Sequence, residues 1–289
     1  MNVLSVENLE KSYGEKILFQ NVTFGLDQGQ KVALVAKNGA GKTTLLRCLC
    51  GMESADKGNI VFRKEQRVSW MEQTEDFDPN ATVWDLIADN QHENHQLFYA
   101  YNQALENNDT AEIDRLTDAI TANNAWGVEA EIAKIVQILK LNPKDRVGSL
   151  SGGQKKRISL AKVLLADADF FILDEPTNHL DLDMIEWLES YLSSTNATVF
   201  MVTHDRYFLE SVCDVILELD EKNLYKYNGN FSYYLYKKAE RQEQLASSIE
   251  KAQNTFRSEL ECIRKQPKAR GTKQKARIDA FLDVKNAAS

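Results

Sequence analysis

The sequence predicts an α/β protein in which a mixed sheet with a glycine-rich loop is followed by a helical tail. An apolar run, Lys31 to Val35, precedes the loop, and a helical run, Leu45 to Leu49, follows it. Two further apolar runs, Phe170–Leu173 and Thr198–Thr203, are typical of parallel strands that are buried on both faces. Residues 231–265 are rich in helix formers and contain no proline or glycine, which indicates a long helix.

The remaining strands are predicted around this core. Val3–Val6 and Ile17–Leu26 alternate apolar and polar residues, so we expect an antiparallel β subdomain at the edge of the sheet. The segment from Asp220 to Asn223 is predicted to be the turn between the last two strands. Further strands are predicted at Ile60–Phe62, Val68–Met71, Asp214–Leu219 and Leu224–Tyr227.

A helical subdomain is predicted between the strands. The composition shifts after Pro79, and residues 81–141 have helical periodicity. Thr82 is a candidate N-cap, and apolar residues from Ile132 to Leu139 recur at helical spacing. We therefore expect an inserted helical subdomain at about residues 78–165.

The chain is predicted to contain two parts, an α/β domain of residues 1–230 and a helical segment of residues 231–289. Pro267 and Gly271 interrupt the long helix of the second part, and residues 272–285 are predicted to form a returning helix. The composition, with 43% hydrophobic and 27% charged residues, is that of an ordinary globular protein. Since no apolar run approaches the roughly 18 residues needed to span a bilayer, we expect neither membrane insertion nor export.

The loop from Ala36 to Thr44 has the composition of a phosphate cradle. Its glycines allow consecutive backbone N–H groups to face an anion, and the following helix N-terminus adds partial positive charge. Lys42 brings a full charge to the outer phosphates, and Thr43 offers a hydroxyl to magnesium. The usual pattern begins with glycine, so the methyl group of Ala36 is expected to alter the loop entrance slightly. The predicted contacts are Asn38, Gly39, Ala40, Gly41, Lys42, Thr43 and Thr44.

Polar residues follow two of the predicted parallel strands. Asp174 and Glu175 emerge at the carboxyl end of one strand, where open α/β sheets bind their ligands. Asp174 is predicted to hold magnesium, directly or through water, and Glu175 to accept a proton from an attacking water. His204 leaves the second strand towards the same crevice and is predicted to contact phosphate.

Each motif has a plainer interpretation when it is considered alone. A glycine-rich loop can be a turn that binds nothing, and a lone histidine after a strand is usually a structural residue. The segment Leu150–Gln154 can be an ordinary helix cap, because serine before two glycines is a good helix start. The glycine-rich loop, Leu150–Gln154 and Phe170–Glu175 occur in this order along the chain, which favours the functional interpretation.

In this order the motifs resemble those of the nucleotide-binding domain of the ABC ATPase superfamily, over roughly residues 1–230. The resemblance implies that the domain binds ATP and Mg²⁺ and hydrolyses ATP to ADP and phosphate. Glu175, His204 and Lys42 would be the catalytic residues, with His204 on the γ-phosphate.

The same resemblance implies contacts for residues that have weak local signals. Tyr13 would stack on adenine, Gln73 would contact magnesium and water, and Asp181 would lie in a loop that crosses to a partner domain. Thr43, Gln73 and Asp174 form the implied metal set. Because the active site of an ABC protein is shared, a single domain is expected to be weak or inactive unless it dimerises. The residues that would contact the ATP of the partner are Ser151, Gly152, Gly153 and Gln154.

A strongly basic segment follows the long helix. Seven of the fourteen residues from Arg264 to Arg277 are lysine or arginine and none is acidic, whereas the whole chain carries a net charge of −8. A basic tip on an acidic protein favours phosphate contacts at one place. A solvated charge run or a contact with an anionic membrane is the alternative. The predicted RNA contacts are Arg264, Lys265, Lys268, Arg270, Lys273, Lys275 and Arg277.

Three passages resemble the ABC-F family, and within it the Uup subgroup. They are Asn-His-Leu-Asp at residues 178–181, Thr-His-Asp-Arg-Tyr-Phe-Leu at 203–209, and the basic turn at 267–277. ABC-F proteins are soluble, have two nucleotide-binding domains joined by a helical linker, and act at the ribosome. The resemblance therefore implies a cytoplasmic protein with the ribosome and tRNA as partners, and no membrane subunit. The basic segment would face tRNA near the peptidyl-transferase region.

Each ATPase motif occurs once, so the resemblance indicates an N-terminal fragment. Its partner would be a second ABC domain in a missing C-terminal half, or a second copy of this chain in a two-fold pairing. Three alternatives stay open. They are the ATPase subunit of a membrane transporter, an ABC ATPase of DNA repair or chromosome structure, and an ATP-binding switch with little turnover. The helical tail argues against the transporter subunit. ABC ATPases of DNA repair or chromosome structure separate their motifs by very long coiled coils, and this sequence has no such insertion.

Overall fold

The computed structural model describes residues 1–71, 77–88, 93–123 and 125–265. The chain divides into two units, Met1–Phe231 and Ser232–Ser289. The described part of the second unit belongs to a long helix, α9 (Phe231–Lys265), as the run without proline or glycine predicts. The predicted returning helix at 272–285 lies outside the described residues.

The N-terminal strands form an antiparallel sheet of their own, as the alternating pattern predicts. Strand β1 (Asn2–Tyr13) lies between β2 (Lys16–Asp27) and β4 (Lys57–Phe62). A tight turn joins β1 to β2, so that Tyr13 pairs with Lys16 across the hairpin. Gly14 in this turn has a φ of 60°, a conformation that glycine adopts without steric cost.

The second sheet has six strands, β3 (Lys31–Ala36), β5 (Val68–Met71), β6 (Phe170–Asp174), β7 (Thr198–Val202), β8 (Val215–Asp220) and β9 (Asn223–Asn228). Their order in the sheet is β5-β6-β7-β3-β8-β9. The strands are parallel except for β9, which pairs with β8 in the antiparallel sense. The mixed sheet core predicted from the sequence is therefore confirmed.

Helices follow several of the parallel strands and occupy much of the predicted helical region. Helix α1 (Lys42–Leu49) comes directly after the glycine-rich loop. Between β5 and β6 the chain forms α2 (Val83–Ala88), α3 (Glu93–Glu106), α4 (Thr110–Ala122) and α5 (Gly127–Ile138). The later helices are α6 (Gly152–Leu165), α7 (Leu182–Ser194) and α8 (Arg206–Val212). Within the described part of the chain, no helix has both the length and the apolar character needed to cross a bilayer.

Aromatic side chains join the two sheets into one hydrophobic core. Phe200 of β7 stacks on Phe24 of β2, with ring centroids 5.9 Å apart and planes inclined by 8°. Phe170 of β6 meets Phe62 of β4 edge to face at 5.4 Å. Both strand β6 and strand β7 are buried along their whole length. Their carboxyl ends, which carry the candidate site residues, are thus fixed by packing.

Replacing Phe200 with alanine is expected to lower the free energy of unfolding by about 3–5 kcal/mol, because it removes a fully buried ring and leaves a cavity. Urea denaturation measures this difference. The control is Tyr207→Ala, since Tyr207 is 87% exposed and should change stability by less than about 0.5 kcal/mol. Equal midpoints for the two variants would contradict the packing role of Phe200.

Candidate functional site

A cleft of about 630 Å³ lies at the carboxyl ends of β3, β6 and β7. It brings the glycine-rich loop together with the residues that follow β6 and β7, as expected for an open α/β sheet. Its lining comprises Tyr13, Lys16, Leu18, Asn38, Gly39, Gly41, Lys42, Thr43, Thr44, Asp174, Glu175, Asn178, Val202 and His204.

The glycine-rich loop needs glycine at two positions. Gly39 and Gly41 have φ values of 75° and 102°, in the left-handed region that side chains disfavour. A Cβ atom at Gly41 would also lie 3.1 Å from Cβ of Leu18. Gly41 precedes the first turn of α1, so the loop delivers backbone N–H groups and the helix N-terminus to the cleft.

Ala36 stands where the usual pattern has glycine. It is the last residue of β3, pairs with Leu219 of β8 and packs against the hydrophobic core. Ala36 does not adopt a positive φ, so its methyl group causes no left-handed strain at the loop entrance. Ala40, the other alanine of the loop, also packs against this core.

Lys42 and Thr43 occupy the first turn of α1. Nζ of Lys42 donates to the carbonyl oxygen of Ala36 at 3.2 Å and to Oδ1 of Asn38 at 3.4 Å. The ammonium group therefore lies across the loop, where an anion held by the backbone would meet it. The hydroxyl of Thr43 donates to Oδ2 of Asp174 at 3.1 Å.

Asp174 and Glu175 are both buried, with 2% and 8% of their surfaces exposed. Burial raises the pKa of each carboxyl above its ordinary value, although the hydroxyl of Thr43 opposes this for Asp174 and His204 opposes it for Glu175. A carboxylate with a raised pKa binds a proton more readily, which suits a general base.

Glu175 is held in an unusual backbone conformation. Its φ is 53°, which costs free energy in a residue with a side chain. Its N–H donates to the carbonyl oxygen of Val202 at 2.8 Å, which ties the residue to the end of β7. The carboxylate accepts the backbone N–H of His204 at 3.3 Å and lies 3.5 Å from Nε2 of its ring. The two side chains thus face the cleft together.

Thr43 and Asp174 form an oxygen pair that fits Mg²⁺. A hydroxyl and a carboxylate within hydrogen-bond distance of each other are hard oxygen donors of the kind this cation prefers. Phosphate oxygens would supply further ligands, as at other sites that bind magnesium with a nucleotide. Gln73, the third predicted ligand, lies outside the described residues.

The segment Ser151–Gln154 lies outside the cleft and begins helix α6. The backbone N–H of Gln154 donates to Oγ of Ser151 at 3.3 Å, and the N–H of Ser151 donates to Oε1 of Gln154 at 3.0 Å. This reciprocal pair is a capping box, so the helix-cap interpretation of the motif is realised here. Gly153 packs close to His179, where an added Cβ would lie 3.2 Å from Cβ of the histidine.

Tyr13 and Asp181, which were assigned only by resemblance, have defined partners. Tyr13 lines the cleft, and its hydroxyl donates to Oε1 of Glu53 at 2.5 Å. Asp181 caps α7 by accepting the N–H of Met184 at 3.1 Å. Its other carboxylate oxygen lies 2.5 Å from Nζ of Lys140.

Several residues at the site were missed by sequence reasoning. Lys16, Leu18 and Asn178 line the cleft, and Lys156 donates to the backbone carbonyl of Asp174 at 3.1 Å. The position of Lys16 has a signal in the sequence, because a two-residue turn places it opposite Tyr13. Lys156 has none, since its partner is a backbone atom on another element.

The predicted RNA contacts fall at the end of the described chain. The backbone of Arg264 and Lys265 belongs to α9, and their side chains are not described. Lys268, Arg270, Lys273, Lys275 and Arg277 lie outside the described residues.

Comparison with known families decides the identity of the domain. A family model described as "ABC transporter" matches residues 19–178, which is more than half of the chain and includes the glycine-rich loop, the capped segment and the two acidic residues. The chain belongs to the ABC ATPase family. A second model with the same description matches residues 217–286.

Individual relatives connect this ABC domain with the ABC-F family. The chain is 41% identical to the "uncharacterized ABC transporter ATP-binding protein YfmR" of Bacillus subtilis, and the match covers 99% of the chain and 47% of the relative. It is 33% identical to the "energy-dependent translational throttle protein EttA" of Mycobacterium tuberculosis, covering 98% and 52%. It is 36% identical to "ABC transporter F family member 5" of Arabidopsis thaliana, covering 90% and 40%.

The chain thus spans about half the length of the curated relatives it matches. Among solved structures, it resembles the "ATP binding subunit of ABC transporter" with a TM-score of 0.60. The identity is 20%, and the match covers 78% of this chain and 90% of the other. This likeness shows the fold. The two family models and these relatives show that the chain contains an ABC-F-like ATP-binding domain, and its place in the Uup subgroup stays a prediction.

Proposed function

We propose that the ABC domain binds and hydrolyses ATP, and that ATP-driven closure on a second ABC domain is coupled to ribosome and tRNA binding. The observation that carries the ATPase part is the convergence of Lys42, Glu175 and His204 in one cleft beside the glycine-rich loop. These residues come from three strand ends of the same sheet, and each supplies a different chemical group.

Each group has a role that follows from its position. The loop and Lys42 hold the phosphates, and Thr43 and Asp174 would hold magnesium, which neutralises phosphate charge when bound. Glu175 accepts the proton of the attacking water. His204 contacts the γ-phosphate and, through its backbone N–H, orients the carboxylate of Glu175.

A second domain is needed because Ser151–Gln154 lies outside the cleft of its own chain. In the proposed arrangement this segment contacts the ATP of the partner, and the partner's equivalent segment completes the cleft described here. Two copies of the chain can meet this requirement by two-fold pairing. Turnover per chain should then rise with protein concentration, because only the paired form has complete sites.

The ribosome part of the proposal rests on the basic segment at residues 264–277 and on relatives such as the translational throttle protein. Seven positive charges in fourteen residues suit the phosphates of RNA, whereas the rest of the chain is acidic. A role at the ribosome places the protein in the cytoplasm.

Binding to ribosomes is expected to require ATP and to weaken steeply with salt. If five positive charges each neutralise one RNA phosphate, a slope of about −0.7 per contact predicts roughly hundredfold weaker binding over a fourfold rise in salt. Co-sedimentation of Glu175→Gln with ribosomes, in ATP and in ADP, measures both effects. The experiment uses the chain together with a second ABC domain, because only the paired form has complete ATP sites.

Charge-matched variants identify the segment responsible. Changing Lys268, Arg270 and Lys273 to glutamine should weaken binding and flatten its salt dependence. Changing the exposed lysines Lys64, Lys144 and Lys251 should not. Absence of ribosome binding in either nucleotide would overturn the ribosome proposal and favour a membrane-transporter or DNA-linked role. It would leave the ATPase proposal standing.

A further inference from the structure

A charged network behind Tyr13 leads to a further inference. Glu53 accepts the phenolic hydroxyl of Tyr13 at 2.5 Å, and the same carboxylate oxygen lies 3.1 Å from Nζ of Lys11. The side chains of Lys11 and Glu53 are 11% and 20% exposed. A hydrogen bond from a neutral donor to an ionised carboxylate is stronger than one between neutral groups, so the ring is firmly anchored.

The residue before Tyr13 is anchored to the same segment. Oδ2 of Asp56 accepts the backbone N–H of Ser12 at 2.7 Å and its hydroxyl at 2.6 Å. Lys11 adds a third tie, because its Nζ donates to the carbonyl oxygen of Ser54 at 2.7 Å. Three consecutive residues at the end of β1 are therefore held by residues 53–56.

This segment is itself tied to the helix that carries the glycine-rich loop. The N–H groups of Met52 and Glu53 donate to the carbonyl oxygen of Arg47 at 2.9 Å and 3.3 Å. Arg47 lies in the last turn of α1, and Lys42 begins the first turn. One short helix thus sets the position of the phosphate loop at its N-terminus and of Tyr13 near its C-terminus.

The ring of Tyr13 is anchored at its edge and stays accessible. The residue is 53% exposed and lines the cleft, whereas Glu53 does not line it. Nζ of Lys11 lies 5.5 Å from the ring centroid, within range of a cation–π contact. This arrangement leaves aromatic surface for a planar ligand.

We propose that Glu53, braced by Lys11, is a positioning residue for nucleobase recognition. It fixes the ring of Tyr13 relative to the phosphate loop, so that a base can stack without first ordering the side chain. Glu53 does not touch the nucleotide, and its effect is confined to the base rather than the phosphates. The inference rests on the proposed function, because it concerns ATP binding at the same cleft.

The test compares ATP with magnesium tripolyphosphate, which carries the phosphates without a base, in calorimetric titrations of the chain. Glu53→Ala is expected to weaken ATP binding about three- to tenfold, the effect of ordering one side chain on binding. Tripolyphosphate binding should be unchanged. Tyr13→Phe, which keeps the ring but loses the hydroxyl, should give a similar loss. Combining the two changes should add nothing further.

Glu10→Ala is the matched control, because Glu10 lies on the same strand and pairs with Lys57 at 2.9 Å. Its ATP affinity should equal that of the unaltered chain. Unchanged ATP binding in Glu53→Ala, or an equal loss for ATP and tripolyphosphate, would overturn the positioning role. Failure of the unaltered chain to bind ATP would instead overturn the proposed function itself.

Discussion

Replacing Glu175 with glutamine is expected to slow ATP hydrolysis about 10²- to 10⁴-fold, the usual contribution of a general base. Glutamine keeps the shape of the side chain and an acceptor for the N–H of His204, but it cannot take a proton from water. ATP binding should therefore be retained. Phosphate release and equilibrium ATP titration, measured on the same preparations over a series of protein concentrations, separate the two steps.

The control for this variant is Glu186→Gln, which changes an exposed glutamate on α7 and should leave turnover unaltered. Equal turnover in Glu175→Gln and the unaltered protein would remove Glu175 from the role of base. The pH dependence gives a second check, because burial raises the pKa of Glu175. The acid limb of the rate profile should therefore lie above the ordinary glutamate value of 4.5 and be absent in the variant.

The same pKa shift predicts the sign of the stability change. A carboxyl whose pKa is higher in the folded state destabilises the fold when it is ionised, so the penalty is present above the folded pKa and absent below the unfolded one. Glu175→Gln should therefore unfold at a higher temperature than the unaltered protein near neutral pH. The difference should shrink as the pH falls towards 4.5.

Replacing Lys42 with alanine is expected to weaken ATP binding about 10- to 150-fold. A hydrogen bond to a charged group contributes about 1.5–3 kcal/mol, and Lys42 is placed to make such bonds with the outer phosphates. In the structure its ammonium group lies across the loop, held by the carbonyl oxygen of Ala36 and by Asn38. Calorimetric titration with ATP measures the loss.

Lys37→Ala is the matched control, because Lys37 belongs to the same loop but is 86% exposed and lies 3.9 Å from Asp220. Its ATP affinity should change little, since an exposed ion pair contributes at most about 1 kcal/mol. Similar losses for Lys37→Ala and Lys42→Ala would indicate a general effect of loop charge. In that case the position of Lys42 would not explain phosphate binding.

The elements that the sequence predicted well are those with an unambiguous pattern. Strand β6 is an uninterrupted apolar run, and buried parallel strands have few alternatives, so its prediction missed only Asp174 at the end. Helix α9 lacks helix breakers along its described length, which is why its start at Phe231 was predicted correctly. Because β6 and β7 are parallel, the convergence of Glu175 and His204 could also be expected.

The sequence did not predict contacts between residues that lie far apart in the chain and share no motif. Glu53 lies forty residues from Tyr13, and nothing in its neighbourhood marks it as a partner of a tyrosine. Lys156 meets a backbone carbonyl, which any residue can provide. The positive φ of Glu175 results from tertiary packing rather than from local preference, since glutamate does not favour that conformation.

The capping box at the start of α6 has a consequence for how two domains associate. Ser151 already uses its hydroxyl within its own helix, both to accept the N–H of Gln154 and to donate to its side chain at 2.9 Å. An ionised phosphate accepts hydrogen bonds, so in the proposed pairing a phosphate from another domain would take only the proton that Ser151 now gives to the side chain of Gln154. The same hydroxyl would go on accepting the N–H of Gln154, and the helix would keep a cap worth about 1 kcal/mol. The start of α6 can therefore meet and leave a phosphate without unwinding.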